Sequence, residues 1–440
     1  MLPDRRHEPR FRMHPARDAT LAALAAAALA LLAWIPAVLA TPWKGQQVQK
    51  EGATHVMNPG TGVEAPATVE LKELWRLGGE SESDEEFFGV ISQIATDAKG
   101  NVYVLDAQLS QVKVYDSGGN FLRTVGHEGE GPGEFRRPGD MFFLPNGNLA
   151  VLQMIPGKIV LLDPQGKPAG DFPLPAPEGG GFQMLRGGRR AGNNIILVRQ
   201  LQAFAQDQSK LTQTVALDRL DIAGKVLGTY TKLSRDLLLA NLVIDEQQFW
   251  TFEQGGRWGV GTDGRVYVLL GGLDYAITVY KPDGTLDRVI HREYQRRKRT
   301  PEEVARIKGI WEAFTRQAPN SKVQIGDLDY DIQALYPRDD GSLWVLTGRG
   351  ASDRAAGVLG VFDVLDADGK FVREVTLRGQ GDPDKDGFYF VGDRLYVVTG
   401  ALDAAIAMQG GGEGKAKEED AAPMEVICYR VDAPVMAKGR

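Results

Sequence analysis

The side chains that most often ligate zinc or act as nucleophiles are scarce in this chain. Its 440 residues include five His and one Cys, and only His55, His127 and His291 lie beyond residue 40. A zinc site needs three or four nitrogen, sulfur or oxygen ligands, so a His-built zinc site is excluded. No Ser-His-Asp set, phosphate loop or metal-ligand spacing stands out. The sequence therefore predicts no catalytic residue, no metal and no cofactor.

A Gly-rich segment, residues 126–138, places one His among several Glu and Arg residues. His127 is a candidate general base, but a lone surface His without a role is the interpretation we favour. Arg136 and Arg137 are candidates for binding an anionic ligand. The alternative, which we favour, is that they form salt bridges beside Glu134 that join neighbouring structural units.

An internal repeat supplies the elements that must position these residues. Each copy is a turn followed by a short strand of β-branched and aromatic residues. The copies begin at Gly100, Gly147, Asn193, Gly264, Gly341 and Asp393, separated by 47, 46, 71, 77 and 52 residues. A second strand, another tight turn and a further strand follow, as in residues 112–125. With the segment before each turn, a unit has four antiparallel strands, which is typical of a propeller blade.

The two ends of the repeat array predict how the ring closes. Five units have all four strands, whereas the sixth ends with residues 426–430 and lacks its outer strand. A spare strand, residues 69–77, lies at the other end. An N-terminal strand that completes the last blade leaves no gap in the ring. The sequence predicts an all-β fold, a six-bladed β-propeller over residues 67–433; a solenoid is the alternative.

Long connections are predicted on one face of this propeller, because the first and third turns of each blade are tight. Binding residues tend to lie on such loops over a rigid scaffold. The connection between blades 4 and 5 contains a predicted helix, about residues 300–318, with Thr300 as N-cap and Pro301 in the first turn. Its apolar stripe, which includes Trp311, packs on the propeller as a lid or binds a partner. A Gly- and charge-rich loop of about residues 403–424 is predicted to be flexible.

The repeat also predicts which residues line the central channel. Seven residues before each aligned turn lie Gln93, Asp140, Arg186, Arg257, Ala334 and Asp386, and six before lie Ile94, Met141, Gly187, Trp258, Leu335 and Gly387. Because side chains alternate along a strand, the two rings should face opposite ways. We expect the polar ring to face the channel, where Gln93, Asp140, Arg257 and Asp386 bind a ligand. The alternative is a solvated channel of paired Asp and Arg residues that binds nothing specific.

Two segments of the first unit resemble NHL-repeat proteins. Gly-Asn-Val-Tyr-Val-Leu-Asp (residues 100–106) resembles the NHL strand, and the run with Gly-Glu-Phe before Pro138 resembles the linker between NHL blades. The resemblance implies a six-bladed propeller. The NHL-like propellers that this chain resembles include secreted bacterial proteins of unassigned function, sensor domains, RNA binders and a zinc-dependent amidating lyase. The calcium-dependent lactonases are another six-bladed relative, whose carboxylate and Asn ligands match no motif here.

Residues 1–40 have the features of an export signal. Five Arg precede an apolar, Ala-rich run from Leu21 to Ala40, which ends in small residues suited to cleavage. About 20 apolar residues also suffice to span a bilayer, so an uncleaved anchor is the alternative. Residues 41–66 lack a hydrophobic period and are predicted to be a linker, and residues 434–440 a tail. The protein is expected to be exported, periplasmic or extracellular, with membrane contact only through an uncleaved N-terminal segment.

These observations predict a binding function. The formal net charge of -7 argues against a nucleic-acid partner. We expect a non-catalytic module that engages a protein, a peptide or an envelope glycan through its long-loop face. The alternative is a hydrolase or lyase with a carboxylate-bound metal in the central channel. The helix with Trp311 and the paucity of His favour the binding module.

Overall fold

Six antiparallel sheets form the blades of a propeller, as predicted. The computed structural model describes residues 42–81, 83–177, 181–315, 321–409 and 423–431. The predicted export signal and the predicted C-terminal tail lie outside these ranges. Among the helices of the described ranges, none is long and apolar enough to cross a membrane.

Four strands precede the first blade. They are β1 (Gln46–Lys50), β2 (Ala53–Asn58), β3 (Ala67–Glu70) and β4 (Lys72–Gly78). Strands β1 and β2 form a hairpin in the segment that we predicted to be a linker, so that prediction is wrong for residues 46–58. The hairpin is held by backbone pairing and by the buried side chains of Ala53, Val56 and Asn58 in β2, whereas every residue of β1 is exposed. Three buried positions in one strand are too few to give a recognisable hydrophobic period.

The blades follow in chain order, each from its inner to its outer strand. Blade 1 comprises β5 (Ile91–Thr96), β6 (Val102–Asp106), β7 (Gln111–Tyr115) and β8 (Phe121–Val125). Blade 2 comprises β9 (Pro138–Phe143), β10 (Leu149–Gln153), β11 (Lys158–Leu162) and β12 (Pro168–Asp171). Blade 3 comprises β13 (Phe182–Ala191), β14 (Asn194–Phe204), β15 (Lys210–Leu220) and β16 (Val226–Leu238).

The second half of the chain continues the same order, with one short strand between blades 3 and 4 and another between blades 4 and 5. These two are β17 (Val243–Asp245) and β22 (Lys322–Gln324), which pair in parallel. Blade 4 comprises β18 (Trp258–Val260), β19 (Val266–Val268), β20 (Ala276–Tyr280) and β21 (Leu286–Arg292). Blade 5 comprises β23 (Ile332–Pro337), β24 (Leu343–Thr347), β25 (Val358–Leu365) and β26 (Phe371–Arg378). Blade 6 comprises β27 (Gly387–Val391), β28 (Arg394–Val398), β29 (Glu425–Arg430) and β4.

The ring closes through the N-terminal strand, as predicted. Strand β4 pairs antiparallel with β29, so that Leu77 lies opposite Val426. The predicted strand 69–77 is nevertheless two strands. The first, β3, pairs in parallel with β26 of blade 5, and only β4 belongs to blade 6. Strand β2 pairs in the same parallel manner with β21 of blade 4, so the N-terminal segment joins the outer edges of three blades.

Tight turns at one end of the blades have a local chemical cause. In the first, Asp97 Oδ1 accepts hydrogen bonds from the backbone N–H groups of Lys99 and Asn101 at 2.8 and 2.9 Å. Gly100 has a φ of 81°, a left-handed conformation that a side chain disfavours. Asp-centred turns of this kind recur at Asp116, Asp163, Asp221, Asp283 and Asp366. They stop the strands sharply, so long insertions fall on the opposite end, which we call the long-loop face.

The hydrophobic core consists of layers between adjacent blades. In one layer, Val102 and Val104 of blade 1 lie in a single cluster with Tyr396, Val398 and Val426 of blade 6, all fully buried. Burying such a side chain contributes about 1.5 to 3 kcal/mol. Since each blade shares its two faces with its neighbours, the ring positions the inner strands only when it is closed.

The helices lie in second turns and in blade-to-blade connections. They are α1 (Glu246–Phe249), α2 (Pro301–Phe314), α3 (Gly348–Ser352) and α4 (Ala401–Gln409), with a 3-10 turn at Leu239–Asn241. Helix α2 begins as predicted: Thr300 Oγ1 accepts from Glu303 N–H, and Glu303 Oε2 accepts from Thr300 N–H. Helix α4 corrects the prediction that residues 403–424 are a flexible loop. Its first part is helical, and residues 410–422 lie outside the described residues.

Candidate functional site

The inner strands of all six blades enclose a cavity of about 640 Å³ on the propeller axis. Its wall includes Ser92, Asp140, Arg186, Trp258, Ala334 and Gly387, one from each blade in turn. Aromatic side chains contribute much of the remaining surface, among them Tyr336, Phe388 and Tyr389. The cavity wall is therefore mixed, with polar and apolar side chains exposed to nearly the same extent.

The predicted rings need a one-residue correction in two blades. The position compared is the residue paired with the fifth residue after the start of each repeat copy. It is Gln93 in blade 1 and Asp140 in blade 2, as aligned. In blades 3 and 6 it is Gly187 and Gly387, and not Arg186 or Asp386. Those two blades have short first turns, residues 192–193 and 392–393, whereas blade 1 has residues 97–101. Turn length sets strand register, so the shorter turns move the pairing by one residue.

Asp140 is buried and joins three blades. Gln93 Nε2 of blade 1 donates to Asp140 Oδ1 at 2.6 Å. Asp140 Oδ2 accepts from Gly188 N–H at 3.0 Å and from Arg189 Nη1 at 2.7 Å, both in blade 3. Asp140 is 5% exposed, and Met141 N–H donates to its Oδ1 as well. Asp140 lies on the cavity wall with Gln93, but its carboxylate oxygens already accept hydrogen bonds from donors of blades 1, 2 and 3.

Arg257 and Asp386, unlike Gln93 and Asp140, are not among the residues that line the cavity. The Arg257 guanidinium is 2% exposed, packs between the rings of Trp250 and Tyr330, and donates from Nη1 to Ile332 O at 3.0 Å. Burial lowers its pKa to about 10. Asp386 accepts from the N–H groups of Asp382 and Gly400, which fixes two loops, and burial raises its pKa. Both side chains therefore hold neighbouring backbone segments in place through the contacts described.

The candidates of the Gly-rich segment remain at the surface. His127 Nε2 lies 2.8 Å from Glu134 Oε1, with the imidazole 72% exposed. Arg136 Nη1 donates to Glu130 Oε1 at 2.9 Å within the same connection. Arg137 has an exposed side chain, and its backbone N–H donates to Ser110 Oγ at 3.1 Å. The favoured salt bridge between blades is therefore not formed by Arg136, whose partner belongs to its own loop.

Trp311 lies on helix α2 and packs against helix α1. Its ring is 6.1 Å from that of Phe249 in an edge-on arrangement, and both side chains are half-buried. Below α2, Arg299 makes a buried two-pronged ion pair with Glu246 of α1 at 2.7 and 2.8 Å. Helix α2 is thus fastened to the blade 3–blade 4 connection by an aromatic contact and a buried charge pair.

A polar cluster on the cavity wall between blades 3 and 4 was not predicted as a unit. Arg186 Nε donates to Gln200 Oε1 at 2.6 Å, and Arg186 and Glu253 both line the cavity. Gln200 is fully buried, and Glu253 is 7% exposed. A weak signal was present, since Arg199 and Gln200 follow directly on the apolar run of residues 195–198 in the same strand. Its partner Glu253 was not recognisable, because it lies in an irregular connection with no repeat register.

In the part of the chain that the structure describes, no group of three or more His, Cys, Asp or Glu is arranged to hold a metal ion. The single cysteine, Cys428, is fully buried, and burial raises its pKa to about 11.

Comparisons with known proteins address the fold. Residues 82–175 match a family described as a 6-bladed beta-propeller. No curated protein matches the sequence. The solved structures that resemble it include a protein of Bacteroides fragilis described as exported (11% identity, TM-score 0.47, covering 84% of this chain and 100% of that one).

Two further structures have the same general likeness. A member of a family of unknown function from Bacteroides vulgatus has 12% identity and a TM-score of 0.46, covering 82% of this chain and 97% of that one. Virginiamycin B lyase from Staphylococcus aureus has 12% identity and a TM-score of 0.38, covering 82% and 99%. None of these descriptions mentions the NHL repeat, so the resemblance to that family is not confirmed. The family match and the six closed sheets identify this chain as a six-bladed β-propeller.

Proposed function

We propose that this protein is an exported, non-catalytic binding module that engages a protein, peptide or envelope glycan through its long-loop face. The observation that carries the proposal is the set of large apolar side chains left exposed there. Five such residues, 38–58% exposed, belong to second turns or blade-to-blade connections: Phe87, Ile155, Leu239, Leu270 and Leu328. A sixth, Phe204, 53% exposed, is the last residue of β14 before a second turn. Other exposed apolar side chains lie on outer strands or, as Ile222 does, at the opposite end, but those on the long-loop face stand on loops above a fixed scaffold, where binding residues tend to lie.

The scaffold beneath these side chains is rigid, which favours binding. Asp384, before the inner strand of blade 6, is paired with Arg354 at 2.8 Å and with Arg306 of helix α2 at 3.5 Å. Together with the Arg299–Glu246 pair, these contacts tie α2 to the connections on both sides of it. A surface ordered before binding loses less conformational entropy when a partner docks.

The binding proposal is tested with an array of random peptides and with purified cell-wall sacculi as probes. The variant Ile155→Ser/Phe204→Ser/Leu270→Ser removes three anchors from the long-loop face. The matched control Leu122→Ser/Leu227→Ser/Leu286→Ser removes three apolar side chains of similar exposure, 37–45%, from outer strands. We expect at least tenfold weaker binding by the first variant and unchanged binding by the control, with both melting curves cooperative. Equal loss in both variants, or no binding of either probe by the parent protein, would contradict the proposal.

Export is tested separately by fractionating cells that produce the full-length chain. A periplasmic or secreted product that lacks residues 1–40 supports a cleaved signal, and a full-mass product in the membrane fraction supports an anchor. Recovery of the full-mass chain in the cytoplasm would contradict export.

A further inference from the structure

The cavity wall between blades 3 and 4 presents a guanidinium edge without a protein partner. Arg186 is solvent-exposed within the cavity, and its one recorded hydrogen bond runs from Nε to Gln200 Oε1. In the described part of the chain, neither Nη atom of Arg186 has a hydrogen bond or an ion pair. A guanidinium fixed at Nε leaves two parallel N–H groups directed outward, which is the geometry that binds a carboxylate through both oxygens.

Glu253 offers the opposite charge on the same wall. Arg235 donates from Nη2 to Glu253 Oε1, and Arg235 itself is held by Gln213 Oε1 at 2.6 Å and by the carbonyl oxygen of Gln248 at 2.8 Å. The second carboxylate oxygen, Oε2, is buried and has no hydrogen-bond donor among the described residues. A buried acceptor without a donor costs about 1 to 3 kcal/mol, so a turn of the Glu253 carboxylate that brings Oε2 to the cavity surface, where a ligand donates to it, is favoured by that amount.

Arg186 and Glu253 are near each other but are not paired. The Arg186 side chain is open to the cavity, but the surrounding protein keeps most bulk water away from it and lowers its pKa, an effect that the Glu253 carboxylate partly offsets. Yet no nitrogen of Arg186 lies within 4.0 Å of an oxygen of Glu253 among the described ion pairs. A positive and a negative side chain held apart on one wall fit a ligand that carries a negative group for Arg186 and a positive group for Glu253.

An aromatic wall adjoins this pair. Trp258 lies against Gly187, the residue after Arg186: a Cβ at Gly187 would be 3.5 Å from Trp258 Cζ2 and 3.2 Å from Asp140 Oδ2. Trp258 is half-buried and lines the cavity, and the Arg189 guanidinium is 5.7 Å from the centre of its ring. The absence of a side chain at Gly187 therefore lets an apolar surface stand beside the Arg186 guanidinium.

We propose that this wall is a binding site for an α-amino acid with an aromatic or aliphatic side chain. The ligand carboxylate binds the two Nη groups of Arg186, and its side chain packs on Trp258. Its ammonium group donates to Glu253 Oε2 after the carboxylate turns toward the cavity, because this oxygen is buried in the unliganded structure. The volume of about 640 Å³ leaves room for a large side chain or for a residue at the end of a peptide. This site does not depend on the proposed function, because a free amino acid would bind here whether or not the long-loop face has a partner.

The test compares three probes that share one apolar group. Phenylalanine has both charges, 3-phenylpropionate lacks the ammonium group, and 2-phenylethylamine lacks the carboxylate. We expect saturable calorimetric binding of phenylalanine, with binding of each single-charge probe at least tenfold weaker. Leucine and alanine, measured in the same way, report the contribution of Trp258 through their smaller side chains.

Variants of the two charged residues locate the binding. We expect Arg186→Gln and Glu253→Gln each to weaken phenylalanine binding at least tenfold, and Arg186→Lys to weaken it less than Arg186→Gln. Arg190→Gln is the matched control, an exposed Arg on the same strand whose Nε donates to Gly192 O, and it should bind normally. Because Glu253→Gln also alters the Arg235 contact, its melting curve is recorded, and Arg186→Lys keeps the test valid if that variant unfolds. Absence of saturable binding of all three amino acids, equal binding of a single-charge probe, or unchanged binding by Arg186→Gln would overturn the proposal.

Discussion

His55 Nδ1 lies 3.0 Å from His291 Nε2, and the two imidazole rings stack with centroids 5.2 Å apart and planes inclined by 10°. The pair joins strand β2 of the N-terminal hairpin to strand β21 of blade 4. One nitrogen must donate and the other must accept, so protonation of both rings abolishes the bond. Burial lowers the pKa of His291, and the charges of His55 and Lys50 lower it further, against a smaller opposing effect of Asp274 and the Tyr275 backbone.

The first prediction is that the hairpin loosens as the pH falls below the ordinary His value. The folded-state pKa of His291 is depressed below its unfolded value of about 6.5, so the unfolded chain binds more protons in that range. The stability contribution is full above that pH and is lost as the pH falls through the folded value. We expect amide exchange in residues 46–58 to accelerate from pH 7 to pH 5 relative to blade 1, after correction for intrinsic rates.

The matched variant for this prediction is His55→Gln with His291→Gln, which replaces both imidazoles by neutral amides. The control is His127→Gln, since His127 is exposed and far along the chain from the hairpin. The double variant should lose the pH dependence of exchange, whereas His127→Gln should keep it. A pH dependence that survives in the double variant would assign it to other groups.

The second prediction concerns the Asp140 contacts that join blades 1, 2 and 3. Asp140→Asn retains the shape but removes the charge paired with Arg189, and one oxygen becomes a donor facing N–H groups. Breaking a buried ion pair costs about 3 to 5 kcal/mol. Because the Arg189 side chain is 42% exposed, we expect a smaller effect: Asp140→Asn should lower the free energy of unfolding, measured with urea, by about 2 to 3 kcal/mol. Asp171→Asn, at the exposed Lys158–Asp171 pair of blade 2, should change it by less than about 0.5 kcal/mol. Equal values for the two variants would refute the assigned role of Asp140.

The third prediction is that Asn58 fastens the hairpin to blade 5. Its Nδ2 donates to His291 O at 3.0 Å and Gly369 O at 2.9 Å, and its Oδ1 accepts from Phe371 N–H at 2.7 Å and from Trp43 Nε1 at 2.9 Å. Asn58→Ala removes four hydrogen bonds and leaves buried backbone groups without partners. We expect faster amide exchange and proteolysis in residues 46–58, with blade 1 unaffected. Gln49→Ala, which removes an exposed hydrogen bond to Thr54, should leave both measurements unchanged.

The fourth prediction tests ring closure within a single strand. Leu77 is 5% exposed in β4 and packs in the layer between blades 6 and 1, whereas Leu74 of the same strand is 38% exposed. An Asp at position 77 must lose its hydration or displace the strand, and either event opens the ring. Leu77→Asp is expected to lower the melting temperature by more than about 10 °C or to yield aggregates, and Leu74→Asp to melt within a few degrees of the parent. Similar melting of the two variants would mean that β4 does not close the ring.

The repeat signal predicted the blades well because each rests on local chemistry. The Asp97–Gly100 turn and the similar turns of other blades end the strands through contacts within a few residues, so the local residue pattern is enough to reveal them. The closing strand followed from counting strands at both ends of the array. Helix α2 followed from the capping box of Thr300 and Glu303, which is also local.

The candidate site was predicted less well. Gln93 and Asp140 were placed correctly in the repeat, yet their side chains serve the contacts between blades. Arg186 was named only in the ring alignment, which the short turn at residues 192–193 displaced by one position. Glu253 lies in a connection without any repeat, and its approach to Arg186 joins residues 67 positions apart along the chain.

The sequence by itself determined the number of blades, the tight turns and the strand that closes the ring, because turn chemistry, strand period and helix capping act over a few residues. The tertiary structure alone decided which polar side chains join blades and which face the cavity. A one-residue change in register reverses a side chain, and that register depends on turn lengths and on the neighbouring blade. The docking of residues 46–58 on blades 4 and 5 was likewise decided in three dimensions, since only Ala53, Val56 and Asn58 of this segment are buried and the rest of the contact is backbone pairing to a distant strand.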